Sequence, residues 1–282
     1  MRPVKIFTDS TSDLTAEILK EFQIAIVPLY VTFDKQAFRD GLDLTTEMLY
    51  ELVEQLGQLP KTAAPTPLDF RDAFRPWIDS GHDIVYISLS AQISSTWQNA
   101  RIAAAEFPPG RIHIIDSQNL STGIGLLVLK ACDHVLEGLA ADEIAARIRE
   151  YVPRVRTAFV IDTLDYLYKG GRCSAVQNFM SSLLRIRPIV KVVDGKMILG
   201  QKLRGPRQHA LNHMLQEVLD NQAIIDPQRI IVTHSQGYAD ALYLKEQLEQ
   251  TFQDCQVILT DAGCVISSHC GPKTVGIIYL EK

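Results

Sequence analysis

Short apolar runs alternate with amphipathic stretches along this chain, and this alternation constrains the fold more than any other feature. The apolar runs are typical of strands and lie at 4–10, 24–33, 83–90, 111–117, 157–163, 188–193, 197–203, 229–235, 255–262 and 274–280. The stretches with helical periodicity lie at about 12–22, 45–57, 67–80, 95–106, 121–137, 141–150, 163–169, 175–184, 206–220 and 237–252. Strands that alternate with helices predict an α/β fold with largely parallel sheets.

The second half of the chain departs from this rhythm. Asp194-Gly195 separates two strand-like runs and predicts a β-hairpin, which a purely parallel sheet does not contain. We therefore predict two α/β domains: residues 1–153, with a mostly parallel sheet in three layers, and residues 154–282, with a mixed sheet that includes the hairpin. Within the first domain, Pro76 predicts a kinked or divided helix at 67–80.

Composition predicts a cytoplasmic globular protein. Of the 282 residues, 46% are hydrophobic, which is enough for a sizeable core without disulfide bonds. No apolar run approaches the ~20 residues that cross a bilayer, so we expect no stable membrane insertion. The opening residues read as a strand rather than a signal peptide, and the five scattered cysteines lack a Cys-x-x-Cys pair, which favours reduced thiols.

The charge is unevenly distributed. The net charge of −5 argues against general nucleic-acid binding. Residues 167–216 nevertheless contain nine Lys or Arg residues and a single acid, Asp194. This basic tract indicates a place where an anionic partner docks, although a solvated face balanced by acids elsewhere would have the same composition.

Motifs for the common catalytic chemistries are absent. The chain has no phosphate-binding G-x-x-x-x-G-K-[ST] or G-x-G-x-x-G motif and no G-x-S-x-G nucleophile elbow. Neither the pair His209 and His213 nor Cys264 with His269-Cys270 has the spacing of a metal site, so we predict no metal and no cofactor.

Groups that could bind an anion remain in four segments. Thr62 precedes a loop-to-helix entry, Ser94 and Ser95 open a helix, Arg204 ends a strand, and His269 lies in the loop before the final strand. Hydroxyl groups, free helix-start amides, a guanidinium and an imidazole could hold one carboxylate through charge-assisted hydrogen bonds. A hydrolase that uses a serine and a histidine from distant segments is the alternative, and a nucleic-acid binder based on the basic tract is a weaker one.

These segments resemble the DegV family of bacterial fatty-acid-binding proteins, and the resemblance runs from end to end. The similar segments are "TDSTSDL" (8–14), "KTAAPTP" (61–67), "ISLSAQISSTWQNA" (87–100), "IDTLDYLYKGGR" (161–172), "IRPIVKVVDGK" (186–196), "KLRG" (202–205) and "GCVISSHCGPKTVG" (263–276). Lys273 stands where the family has glycine. Because a left-handed turn is unfavourable for lysine, the turn at Lys273 is expected to differ.

The resemblance implies a carrier that is not itself an enzyme. The alternative is a lipid hydrolase or a self-sufficient acyl kinase that uses Ser94 and His269. The resemblance also implies a long apolar tunnel near the interface of two α/β domains that holds a long-chain fatty acid such as palmitate, stearate or oleate. A separate, ATP-binding fatty acid kinase would phosphorylate the carboxylate, and the acyl phosphate would enter phospholipid synthesis. Carried over by motif, the carboxylate contacts would be Thr62, Ser94, Ser95, Arg204 and His269. A protonated His269 and Arg204 would offset charge on the transferring group, and Lys169 and Arg172 would dock the kinase.

Overall fold

The computed structural model describes residues 2–34, 36–173 and 186–282, with backbone only at 186 and 187. The helix predicted at 175–184 therefore lies outside the described residues. The strands are β1 (Val4–Asp9), β2 (Ala25–Val27), β3 (Tyr30–Phe33), β4 (Gln36–Arg39), β5 (Lys61–Ala63), β6 (Asp83–Ser88), β7 (Ile112–Asp116), β8 (Val155–Val160), β9 (Ile186–Val193), β10 (Lys196–Arg204), β11 (Ile225–Ser235), β12 (Gln256–Asp261) and β13 (Thr274–Glu281). The helices are α1 (Ala16–Glu21), α2 (Thr46–Leu56), α3 (Pro67–Asp79), α4 (Thr96–Ala104), α5 (Thr122–Leu136), α6 (Ala141–Tyr151), α7 (Asp165–Gly170), α8 (Arg207–Asp220), α9 (Tyr238–Thr251) and α10 (Cys264–Cys270). Within these ranges, no helix is long and apolar enough to span a bilayer.

Two large sheets confirm the predicted α/β class. The first is parallel, with strand order β2-β1-β6-β7. The second is mixed, with strand order β10-β9-β8-β13-β11-β12. The predicted hairpin joins β9 to β10, and both residues of its turn, Asp194 and Gly195, have positive φ angles of 48° and 77°. That conformation matches the right-handed twist of paired strands.

One local prediction is wrong, and a second, the kinked or divided helix at 67–80, is wrong in that the helix is not divided. The run at 24–33 is not one strand: it divides at Pro28, after which β3 joins a small antiparallel sheet of order β4-β3-β5. Proline has no N–H to donate to a sheet, which favours a break at this position. Conversely, α3 is a single helix that continues through Pro76, and the buried side chains of Phe70, Phe74 and Ile78 anchor both of its halves in the core.

Helix α5 lies between the two large sheets. Twelve of its 15 residues are buried, and it contacts β1 and β6 on one side and β8, β11 and β13 on the other. A Cβ at Gly125 would lie 2.8 Å from the backbone oxygen of Ser12, so the glycine allows the helix to approach closely. The boundary predicted after residue 153 falls in the 3-10 turn Val152–Arg154, and the largest hydrophobic cluster contains residues from both sides of it.

The segment that carries His269 is a helix, not the predicted loop. Residues Cys264–Cys270 form α10, and five of these seven residues are buried. His269 lies in its last turn, directly before the chain turns into β13. Helical geometry fixes the direction of the imidazole, which an extended loop would not.

Candidate functional site

A cavity of about 800 Å³ lies between residues of the two predicted domains. This volume is within the usual range for small-molecule sites. Its apolar lining includes Leu29, Leu89, Ile93, Leu120, Phe159, Leu167, Met197, Val265 and Ile266. Its polar lining includes Thr62, Gln92, Ser94, Ser95, Gln98, Arg172 and His269. Such a lining suits a ligand with a long apolar part and a small polar group.

Thr62 and His269 meet in this cavity although 207 positions separate them in the sequence. Thr62 lies on β5, in the small antiparallel sheet, where it pairs with Val31 of β3. His269 lies on α10, and its Nε2 is 2.8 Å from Thr62 Oγ1. The structure therefore brings together two of the predicted carboxylate contacts in a direct hydrogen bond.

The imidazole of His269 is neutral at pH 7, contrary to the expectation of a protonated ring. Burial, together with the smaller effect of the positive charge of Arg172, lowers the pKa of His269 to about 4. The other ring nitrogen, Nδ1, is buried without a hydrogen-bond partner among the described residues. It faces Gly170 of α7, where an added Cβ would lie 2.4 Å from Nδ1.

Ser94 and Ser95 line the cavity in the loop that leads into α4. Ser94 Oγ is 2.8 Å from Thr96 Oγ1 and accepts a hydrogen bond from the Thr96 N–H at 3.3 Å. Ser95 is the exposed N-cap residue of α4, and its side chain makes no capping hydrogen bond. The hydroxyl of Ser95 and the remaining capacity of Ser94 are thus available to a ligand.

The three Lys and Arg residues named from the sequence occupy different places: Arg204, predicted for the carboxylate, and Lys169 and Arg172, predicted to dock the kinase. Arg172 is exposed overall but lines the cavity, and its Nη1 donates to the Gly170 carbonyl at 2.8 Å. Lys169 is exposed on α7. Arg204 is exposed at the end of β10 and is not among the residues that line the cavity. Of these three residues, only Arg172 lines the cavity.

The geometry does not assemble the nucleophilic alternative. In a serine hydrolase, a histidine nitrogen accepts the serine proton and the other nitrogen is held by a third group. Here Nε2 of His269 is bonded to Thr62, Nδ1 has no partner among the described residues, and Ser94 is bonded to Thr96. Within those same residues, no cluster of His, Cys, Asp or Glu could hold a metal ion.

The turn after α10 is left-handed in spite of its lysine. Lys273 has a φ of 59°, in the left-handed region that is unfavourable for lysine. Arg207 stabilises this turn by donating to the Lys273 carbonyl, while its Nε donates to Asp240 at 2.7 Å. The turn thus keeps the backbone conformation of a glycine at a residue that disfavours it.

Sequence reasoning missed most of the apolar lining. Phe159 on β8 and Met197 on β10 line the cavity, and nothing in their own segments marks them. Arg172 was assigned to partner docking. The signal that could have placed it at the cavity is its position two residues after Gly170, against which His269 packs.

Three comparisons with known proteins agree. The family described as "Uncharacterised protein, DegV family" matches residues 3–282. A DegV domain-containing protein of Caldanaerobacter subterraneus is 33% identical over 287 residues, with 100% of both chains covered. A solved structure of a fatty-acid-binding DegV family protein from Thermus thermophilus has a TM-score of 0.92 at 27% identity, with 100% of both chains covered. A stearic acid-binding protein from Eubacterium ventriosum has a TM-score of 0.87 at 26% identity, with 99% of this chain and 98% of that chain covered.

Proposed function

This chain belongs to the DegV family, and from that premise we propose that it binds a long-chain fatty acid in the cavity and presents the carboxylate to a separate fatty acid kinase. The observation that carries the proposal is the cavity itself. Its volume is about 800 Å³, its lining is largely apolar, and the Thr62–His269 hydrogen bond lies within its polar part. The fatty acid binding of the structural neighbours from Thermus thermophilus and Eubacterium ventriosum supports the same ligand class.

The acyl tail would supply most of the affinity. Burial of each CH₂ contributes ~0.8 kcal/mol, so a sixteen-carbon chain contributes on the order of 10 kcal/mol before the cost of ordering it. A hydrogen bond to a charged group contributes roughly 1.5–3 kcal/mol. The polar residues would therefore orient the head group more than they retain the ligand.

Neutral His269 would prepare Thr62 for the carboxylate. If Nε2 carries the proton and donates to Thr62 Oγ1, the threonine hydroxyl is free to donate to a carboxylate oxygen. Ser94 and Ser95 would donate to the same group. Arg172 supplies positive charge, since among the described lining residues it is the only one that is cationic at neutral pH. Arg204 enters the proposal through the family resemblance alone.

The chemical step would belong to the partner. Held in one orientation, the carboxylate would accept a phosphoryl group from ATP bound to the kinase, giving an acyl phosphate for phospholipid synthesis. Lys169 and Arg172 are exposed at the end of α7, where they would meet the kinase. In this proposal the chain is a cytoplasmic carrier and not itself an enzyme.

Mass spectrometry of lipid extracted from the purified protein tests the ligand. We expect a long-chain fatty acid at close to one equivalent and saturable binding of added palmitate, stearate or oleate. If no fatty acid co-purifies and none of these three binds, the proposal is wrong. Hydrolysis of an acyl ester, or acyl phosphate formation by the protein alone, would favour the enzymatic alternative if Ser94→Ala abolished it.

A kinase assay tests the division of roles. His269→Ala and Arg204→Ala should reduce phosphorylation of bound oleate more than they reduce oleate binding, because the tail dominates affinity. Arg172→Ala is the informative comparison with Arg204→Ala, since only Arg172 lines the cavity. Equal losses of binding and phosphorylation would contradict the proposed roles.

A further inference from the structure

The N-terminus of α10 is enclosed by two buried carboxyl groups. Asp13 Oδ1 accepts a hydrogen bond from the Gly263 N–H at 2.9 Å, and Asp40 Oδ1 accepts one from the Cys264 N–H at 2.8 Å. Asp13 is 6% exposed and Asp40 is 3% exposed. The first N–H groups of a helix have no partner within the helix, so these two acids satisfy groups that would otherwise be unpaired.

The two acids come from separate segments and converge on one glycine. Asp13 follows the 3-10 turn Ser10–Ser12 with a φ of 51°, and its Oδ2 accepts a hydrogen bond from Ser121 Oγ. Asp40 follows β4. A Cβ at residue 263 would lie 3.2 Å from Oδ1 of either acid, so Gly263 leaves space for both carboxyl groups.

Helix α10 connects this end directly to His269. Its seven residues span about 10 Å at 1.5 Å per residue, a length over which a helix is rigid. Hydrogen bonds also stabilise the position of α10 along its length. Ser267 Oγ is 2.8 Å from Ser235 Oγ, and Ser235 Oγ is 2.6 Å from the Tyr50 hydroxyl. A displacement at Gly263 is therefore transmitted to the last turn, where His269 meets Thr62.

We infer that Asp13 and Asp40 are positioning residues for the carboxylate site, because their hydrogen bonds to the start of α10 set the place of His269 beside Thr62. The inference rests on the proposed function for its consequence in lipid binding. Neither acid lines the 800 Å³ cavity, so neither touches the ligand there.

Burying two carboxyl groups lowers the stability of the fold, whereas a single helix cap at the start of α10 would not have this cost. Burial raises the pKa of Asp40, and it raises that of Asp13 well above its usual value, with the nearby charge of Asp40 adding to the effect on Asp13. A serine or asparagine at position 263 would cap the helix without burying a charge. The convergence of two acceptors from different segments does what one local cap cannot: it fixes α10 against both the β1 end and the β4 end of the fold.

Paired substitutions at each acid test the inference. Asp40→Asn and Asp13→Asn keep an oxygen that accepts the backbone N–H, whereas Asp40→Ala and Asp13→Ala remove it. The readout is the ¹⁵N spectrum of the His269 ring in ligand-free protein, which reports its tautomer and its bond to Thr62. We expect each Ala variant to change the ring signals and each Asn variant to restore them. Wild-type ring signals in both Ala variants, or equal changes in the Ala and Asn variants, would overturn the inference.

A further variant keeps the inference testable if the Ala variants do not fold. Gly263→Ala retains both carboxyl groups and places one methyl group between them, so the His269 ring signals should shift in the folded variant. Unchanged signals there would also overturn the inference.

A separate experiment measures lipid binding. With ¹³C-carboxyl oleate, the Ala variants should move the bound carboxyl signal while affinity falls less than roughly threefold, because the tail dominates binding. If wild-type protein binds no oleate, the proposed function fails, and the ring spectrum of ligand-free protein still decides the role of the acids.

Discussion

Between pH 4 and pH 6.5, folding of the chain favours release of the proton from His269. Folding lowers its pKa from 6.5 to about 4, so the unfolded chain holds this proton more tightly. The stability linked to this residue is complete above pH 6.5 and is lost as the pH falls toward 4, by on the order of 3 kcal/mol in total. Urea unfolding at pH 7 and pH 4 measures this loss. The free energy of unfolding should fall between the two pH values by about this amount less in His269→Gln than in the wild type.

The comparison of wild type with His269→Gln can also contradict this prediction. If wild type and His269→Gln lose equal stability between pH 7 and pH 4, the ring is not buried in its neutral form. Bound oleate should also raise the pKa of His269 in the wild type, since a nearby carboxylate favours the protonated imidazole. NMR titration of the ring with and without oleate measures this shift.

Lys273 stores backbone strain in the turn that follows α10. Its φ of 59° lies in the left-handed region, which costs a residue with a Cβ about 1 kcal/mol relative to glycine. We expect Lys273→Gly to raise the free energy of unfolding by about that amount in urea denaturation. Lys273→Ala removes the charge and keeps the strain, so it should give no such gain. A gain in both variants would assign the effect to charge instead.

Single residues were predictable where a motif carried them. Thr62, Ser94, Ser95 and His269 all line the cavity, and their contact with a carboxylate stays a prediction. The protonation state of His269 was not predictable, because it depends on burial and on Arg172, which the fold alone brings together. Asp40 carried no signal beyond its place in a turn, and its contact with Cys264 spans 224 positions.

The packing of α7 against α10 depends on the absence of a side chain at Gly170. A Cβ there would lie 2.4 Å from His269 Nδ1, a distance that no packed side chain tolerates. Gly170→Ala should therefore displace the imidazole, weaken its bond to Thr62 and cost about 1–3 kcal/mol of stability. Urea denaturation measures the cost, and the ¹⁵N ring spectrum of His269 measures the displacement.

Lys169→Ala is the matched control on the same helix. Lys169 is exposed, so its truncation should leave both stability and the His269 spectrum nearly unchanged. Equal effects of Gly170→Ala and Lys169→Ala would show that α7 responds to any substitution and that the close approach is unimportant.

Elements were predictable where the sequence period was unambiguous. The hairpin β9–β10 follows from Asp194-Gly195, and helices such as α2 and α6 follow from their clear helical periodicity. The small antiparallel sheet was missed because β3, β4 and β5 have three or four residues each, too few to show a period. Helix α10 was missed because its seven residues are mostly buried and therefore show no amphipathic pattern.

At the scale of the whole molecule, the two predicted domains share the largest hydrophobic cluster. Helix α5 belongs to residues 1–153, yet one side of it packs on β8, β11 and β13 of residues 154–282. Arg229 of β11 makes two hydrogen bonds to Asp133 of α5, at 2.6 and 2.8 Å. The sequence showed that α5 is apolar, but a helix that is apolar all round indicates burial without indicating what covers each face.

This arrangement predicts that residues 1–153 do not fold on their own. Without β8, β11 and β13, the fragment would expose one apolar face of α5 along a helix of 15 residues, about 22 Å. The cavity would lose Phe159, Met197 and all of α10, so no site would remain. We expect the fragment to give a poorly dispersed ¹H–¹⁵N spectrum and no cooperative thermal transition, whereas the full chain should unfold in a single transition. A well-dispersed spectrum from the fragment would instead establish two independently folding domains, with the cavity formed only when they dock.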